Sequence, residues 1–407
     1  MNKLAITKID LNEHPFIRDV SITIPAPDDG SSLSPILITG KNGSGKTTLL
    51  ENIRKFTEMA IGHPRDFAQT NRNVKAYEDA LKRDKLENHE RVEFEKRLIE
   101  HKNSLVDVLG YADVTYNILY STLDDNTAQK YIIANFIAHR VTSIAKVTAI
   151  SKPKVDTDSG RISKGEQFLQ YLVNRKSQQA FAFTDGNQAE ADEISKWFCK
   201  LEQFFSSLFE ESIKLEFNRN ELTFSLKKGN ETVRFDTLSD GYSSAINIIT
   251  ELVMRMEINK FGDYSQPGIV FIDEIETHLH VALQKQILPM LRAFFPNIQF
   301  VVTTHSPFVV SSVEDAIVVD METGETIDQK VELWNYSYEA LVEGFFDTDK
   351  FSDILKNKVK QYEALKENGA QSREERKLFR QLEKELKNVP LYKNEAIELK
   401  LKQLGLK

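Results

Sequence analysis

Cysteine is the first scarcity in this chain: one residue, Cys199, among 407. A single thiol excludes an internal disulfide framework and any zinc site built on thiolates, and it fits a reducing cytosol. Cys199 itself reads as a small buried apolar residue rather than a nucleophile. Long apolar runs are also missing. No stretch approaches the ~20 residues that span a bilayer, and the opening MNKLAITKIDL has no run suited to a secretory signal. Nor is there a surplus of basic charge. Lys and Arg number 53 against 61 Asp and Glu, a net charge of −8. That balance argues against a protein that coats nucleic acid generally, although a local basic patch is invisible in the sum. Internal repeats are absent. A soluble cytoplasmic protein is expected, with no membrane partner.

Charged residues make up 28% and apolar ones 41%, the balance of an ordinary globular protein. The length suits one large α/β core with insertions, or two domains. LAITKIDL and DVSITIP alternate apolar and polar residues as a half-buried antiparallel pair does. SPILITG is a short apolar run typical of a strand buried on both faces, and it feeds a glycine-rich turn and then a helix, TTLLENIRKF. Residues 50–130 read as charged helix without sustained heptads, hence a packed helical insertion rather than a coiled-coil arm. YIIANFIAHR reads as a further core strand, and the polar residues 148–166 as a mobile loop. A second helical stretch, 188–211, precedes a meander of IKLEF, LTFSLK and TVRFDTL. An apolar-periodic helix follows Asp240-Gly241, and then come the buried strands GIVFID, IQFVVTT and AIVVDM. A Ser372…Glu375 capping box opens a helix in the charged tail.

Four motifs carry chemistry. GKNGSGKT, residues 40–47, matches the phosphate loop G-x-x-x-x-G-K-[ST] between an apolar strand and a helix. Its glycines let backbone N–H groups of Gly40, Lys41, Asn42, Gly43, Ser44 and Gly45 turn inward, and the helix opening at Lys46, Thr47 and Thr48 adds its positive end. Lys46 is placed to bridge the outer phosphates of a nucleotide and Thr47 to ligate Mg²⁺. Such a loop needs an acid at the end of another buried strand. GIVFIDE supplies Asp273 for the metal and Glu274 to take a proton from the attacking water. LSDG, residues 238–241, opens a helix and is an anion site in its own right, through Ser239 and Gly241. VVTTHSP sets His305 at the end of a strand.

With GKNGSGKT, LSDGYSS, IVFIDEIETHLH and VVTTHSP in this order, the sequence resembles the ATP-binding-cassette ATPases, in the soluble branch of SMC-like, RecF-like and overcoming-lysogenization-defect-like proteins. The resemblance covers roughly residues 1–60 and 210–320. It implies an α/β fold, an ABC-type P-loop NTPase core of mixed and parallel sheet with antiparallel strands at the N-terminus, a helical insertion and a C-terminal helical tail. The expected divisions are a split core over 1–60 and 130–340, an insertion over 61–129, a helical segment of the signature lobe over 188–211, and a tail over 341–407. It implies two copies meeting head to tail around ATP, as a homodimer or higher homo-oligomer. Ser239 and Gly241 of one subunit would close on the γ-phosphate held by the other. His305 would contact that phosphate, and Glu276 to His280 would cross between the sites. His278 and His280 could instead be metal ligands by geometry, but the resemblance implies a structural and dimer-contact turn, with Val281 where proline is usual.

Gln178, Gln179 and Gln188 stand where a Mg²⁺-ligating glutamine is sought. Arg140 either faces the nucleotide or pairs with surface acids, and Arg18 stands where relatives touch the base or its phosphates. Val342-Glu343-Gly344 and Asp347-Thr348-Asp349 lie too close together for a nuclease domain. The tail, SYEALVEGFFDTDKFSDILK and the charged helix after it, resembles ATPase subunits of bacterial anti-phage systems. That likeness implies a regulatory ATPase holding a separate effector, a nuclease or a toxin. A RecF-like or SMC-like ATPase that binds DNA is the alternative.

Overall fold

The alternating first residues of the computed structural model pair as expected. β1 (Ile6–Leu11) and β2 (Val20–Thr23) run antiparallel, with Ile9 opposite Ile22 and Leu11 opposite Val20. The structure describes residues 3–27, 32–82, 88–119, 123, 125–138, 147, 167–327, 333–336, 340–341, 353–369, 372–388, 399, 401–403 and 406. β3 (Ile36–Thr39) is buried at every position, and α1 (Lys46–Thr57) follows the phosphate loop, burying Leu49, Leu50, Ile53 and Phe56. A π-helical turn, Glu58–Gly62, leads into a hairpin of α2 (Pro64–Leu81) and α3 (Asn88–Leu109).

Helix does not persist through the whole of 61–129. Ala112–Tyr116 is a strand, β4, antiparallel to β1 with Val114 opposite Ile9. Ala112, Val114 and Tyr116 are buried, while Asp113 and Thr115 are exposed. This five-residue pattern of period two is lost inside a long charged stretch, and its hydrogen bonds come from the free edge of β1, some hundred positions away.

Next come α4 (Asp125–Ala128), β5 (Ile132–Phe136) and α5 (Phe168–Thr184). The sequence reading contained no helix at α5, where exposed Phe181 and Phe183 blur the apolar stripe. α6 (Gln188–Phe209) begins with the Asn187 side chain accepting the Glu190 N–H, and it buries Ile194, Trp197, Leu201 and Phe205. Cys199 lies on its exposed side, contrary to the buried role expected, because the buried face of α6 follows its large aromatic residues. β6 (Ile213–Asn218), β7 (Thr223–Lys228) and β8 (Glu231–Arg234) form the meander. α7 (Asp240–Asn259), β9 (Gly268–Ile272), α8 (Val281–Phe294), β10 (Ile298–Thr303), α9 (Pro307–Val310), β11 (Ile317–Asp320) and β12 (Thr326–Ile327) complete this part of the chain.

The central sheet has the order β12-β11-β3-β10-β9-β5. All its pairs are parallel except that of β12 with β11. β3, β10 and β9 are buried on both faces, which is why they read as continuous apolar runs. The parallel register brings the C-terminal ends of these strands to one edge, where ligands bind in open α/β sheets.

The chain divides into two compact units, Met1–Tyr336 and Ser337–Lys407. The second contains α10 (Asp353–Asn368) and α11 (Arg373–Lys387), the latter opened by the full Ser372/Glu375 capping box. Val359, Tyr362, Leu382, Leu386, Leu401 and Leu406 make its core. Among the described residues, no helix is long and apolar enough to cross a membrane.

Candidate active site

Gly40, Gly43 and Gly45 take φ of 136°, 81° and 96°, a left-handed backbone that side chains resist. Gly45 is constrained twice, since a Cβ there would lie 2.2 Å from Ile17 Cγ2. The β1–β2 loop therefore packs directly on the phosphate loop. Lys41, Asn42, Gly43 and Thr47 are exposed and Ser44 is half-buried. The Ser44 hydroxyl is nevertheless buried and has no hydrogen-bond partner among the described residues. Thr48 sits in the first turn of α1, its carbonyl accepting the Asn52 side chain.

Lys46 is buried, and its Nζ donates to the carbonyls of Gly40 at 3.1 Å and Lys41 at 2.9 Å. Burial pushes its ammonium below the ordinary lysine range, while Glu274, Glu276, Asp273 and Glu322 pull it back up. Four acids thus face this one cation.

Asp273 and Glu274 follow β9, next to β10 and one strand removed from β3. The Thr47 hydroxyl donates to Asp273 at 3.0 Å from Oδ1 and 3.2 Å from Oδ2. The two residues proposed for the metal are therefore in contact across 226 positions of sequence. Thr303, at the end of β10, donates its hydroxyl to Asp273 at 2.6 Å and accepts the Glu274 N–H at 2.7 Å. Glu274 has φ of 44°, a strained conformation for a side-chain-bearing residue, and Thr277 donates to its carboxylate.

Glu276 is turned to another task. Its carboxylate accepts the Thr304 hydroxyl at 2.8 Å and the His305 N–H, so it fixes the loop that presents His305. His278 and His280 are both exposed, and the described residues contain no group of three or more His, Cys, Asp or Glu arranged to hold a metal ion.

Ser239 is exposed at the start of α7, where its side chain makes no capping bond. Gly241 is buried within its own chain, and a Cβ there would meet the His278 carbonyl oxygen at 2.7 Å. Its need for glycine thus has an intramolecular cause. Arg18 donates to the Thr323 carbonyl at 3.1 Å. Gln178, Gln179 and Gln188 make their hydrogen bonds within the α5–α6 hairpin. Arg140, residues 148–166 and residues 342–349 lie outside the described residues.

Sequence reasoning missed two groups here. Thr303 left a signal, the polar pair that ends the apolar run of β10. Glu322 left none. It follows β11, and its carboxylate accepts the Lys41 backbone N–H at 2.7 Å and pairs with Lys41 Nζ at 3.0 Å.

Residues 118–311 match the family model described as "AAA domain, putative AbiEii toxin, Type IV TA system". The Septu protein PtuA of Bacillus mycoides is 37% identical over 106 residues, which are 25% of this chain and 15% of that protein. The Retron Ec83 probable ATPase of Escherichia coli is 33% identical over 114 residues, 27% of this chain and 21% of that protein. The Septu protein PtuA of Bacillus thuringiensis is 26% identical over 289 residues, covering 68% of this chain and 67% of that protein. The chain thus spans about a fifth or less of the first two relatives' lengths. An SMC head domain from Thermotoga maritima superposes with a TM-score of 0.37 at 15% identity, over 79% of this chain and 97% of that one. With its phosphate loop and its parallel strand order, the chain is an α/β P-loop protein, similar over part of its length to the AAA-domain family model and to the Septu and Retron proteins named above.

Proposed function

We propose that this chain binds ATP with Mg²⁺ at Gly40–Thr48, hydrolyses it to ADP and phosphate, and serves as a regulatory ATPase in bacterial anti-phage defence. The observation that carries the chemistry is the Thr47–Asp273 contact. It joins a phosphate loop to the acid of a second strand through oxygen donors alone, the donor set that a hard cation such as Mg²⁺ takes. The orphaned Ser44 hydroxyl and the left-handed glycines also fit a loop built to receive a polyphosphate. When bound, the ion neutralises charge on the phosphates.

The chain's own groups do the remainder. Loop N–H groups and the positive end of α1 bind the phosphates, and Lys46 leaves its loop carbonyls for the outer oxygens. Glu274 accepts the proton of the attacking water. Thr303 keeps Asp273 and Glu274 in place from β10, and Glu276 holds the loop from which His305 reaches the γ-phosphate.

Ser239 and Gly241 complete the site of a second copy in a head-to-tail dimer or higher homo-oligomer. An exposed Ser239 hydroxyl that does not cap its own helix supports that use. Names containing Septu and Retron among the relatives support the defence setting, in which nucleotide state governs a separate effector, a nuclease or a toxin. Phosphate release by the purified chain with Mg²⁺ and ATP tests the chemistry. Lys46→Ala is expected to weaken ATP binding by about a hundredfold, since it removes a charge-assisted contact from a buried ammonium. Undiminished binding in that variant overturns the reading.

A further inference from the structure

Glu322 is an acid at the mouth of an anion-binding loop, a place where charge alone disfavours it. Its position follows from the sheet. β11 runs parallel to β3 with Asp320 opposite Thr39, and the Met321 N–H donates to the Thr39 carbonyl at 2.9 Å. The next residue on each strand therefore meets at the level of Gly40–Lys41. There one carboxylate oxygen accepts the Lys41 backbone N–H and the other accepts Lys41 Nζ.

The turn that carries Glu322 is itself tied down. The Glu322 N–H donates to Asp320 Oδ1 at 2.8 Å, the Gly324 N–H to the Asp320 carbonyl at 2.8 Å, and Arg18 to the Thr323 carbonyl. Opposite it, Ile17 fills the space beside Gly45. The loop is thus held at its second residue by Glu322 and near its end by Ile17.

We propose that Glu322 is a positioning residue of the phosphate loop. Its carboxylate fixes the Lys41 peptide so that the N–H groups after it converge on one point, and it keeps the Lys41 ammonium outside the cradle, leaving Lys46 as the cation within. The part that concerns phosphate rests on the function proposed above, whereas the part that concerns the loop does not.

Two measurements separate them. In nucleotide-free protein, amide hydrogen exchange over residues 36–48 is expected to quicken about tenfold in Glu322→Ala, the factor that a hydrogen bond to a charged acceptor is worth. Glu322→Gln, which keeps an acceptor oxygen but not its charge, should fall between the two, within about fivefold of the parent. Equilibrium binding of ATP and ADP should weaken about tenfold in the alanine variant and recover in the glutamine variant. Unchanged exchange in Glu322→Ala, or a glutamine variant no better than alanine in both assays, overturns the proposal. A parent protein that binds no nucleotide while Glu322→Ala still loosens the loop would refute the ATPase reading and leave the brace standing.

Discussion

Thr303 shows how much of this site rests on a residue with no chemistry of its own. It is fully buried, donates to Asp273 and accepts from the Glu274 N–H, so one hydroxyl orients both acids. Thr303→Val keeps the shape and removes that hydroxyl. A part-buried N–H and a carboxylate then each lose a partner, at a cost of about 1–3 kcal/mol. The expected outcome is a fall in unfolding free energy of that size, together with a raised Mg²⁺ requirement for turnover, measured by urea titration and phosphate release. Glu274→Gln makes the opposite split. It should leave ATP binding intact and cut turnover by roughly a hundredfold or more, the contribution of a positioned base. Equal turnover in parent and variant would remove Glu274 from that role. Both acids were legible from the sequence because a fully apolar strand ending in Asp-Glu is a local pattern. Glu322 was not, because its partner lies 281 positions away.

At the scale of elements, the α5–α6 hairpin and α7 are fastened by one buried carboxylate. Glu257, near the end of α7, accepts the Tyr171 hydroxyl at 2.6 Å, the Trp197 Nε1–H at 2.7 Å and the Gly262 N–H at 3.1 Å. Arg175 reaches the same carboxylate at 3.9 Å and lies 3.9 Å from the centre of the Phe261 ring. Burial first, and then Glu257, drive the Tyr171 hydroxyl far above the ordinary tyrosine range, so it stays protonated, donating to Glu257 while accepting the Arg175 Nε–H at 2.7 Å. At the other end of α7, Tyr242 stacks on Phe209 with centroids 4.3 Å apart. The helix that begins at Asp240, just after Ser239, is thus tied to the hairpin at both of its ends. Glu257→Ala strands several buried donors and is expected to cost about 3–5 kcal/mol in a denaturant titration. Little or no change would mean that the network relaxes around the loss. None of this was readable beforehand. Tyr, Arg, Trp and Glu at scattered positions carry no periodic signal, and α5 itself was hidden by its exposed Phe181 and Phe183.

For the whole molecule, the question is what the nucleotide controls. If two copies enclose ATP, Glu274→Gln with Mg²⁺ and ATP should run at twice the protomer mass in light scattering, while the parent with ADP should not. A monomer under both conditions would sink the shared-site reading. Turnover that rises on adding duplex DNA and falls steeply with salt would favour a DNA-binding role over control of a protein effector. Among these layers, the phosphate loop, the acid pair, the buried strands and the capped helix of the tail were written in the sequence. Each depends on neighbours within a few residues, where backbone sterics and burial leave one reading. The edge strand β4, the Thr303 and Glu322 contacts, and the turning of Glu276 toward His305 were decided only by tertiary structure. Each needs a partner brought from far along the chain by parallel pairing or an open sheet edge, and no local pattern encodes who that partner will be.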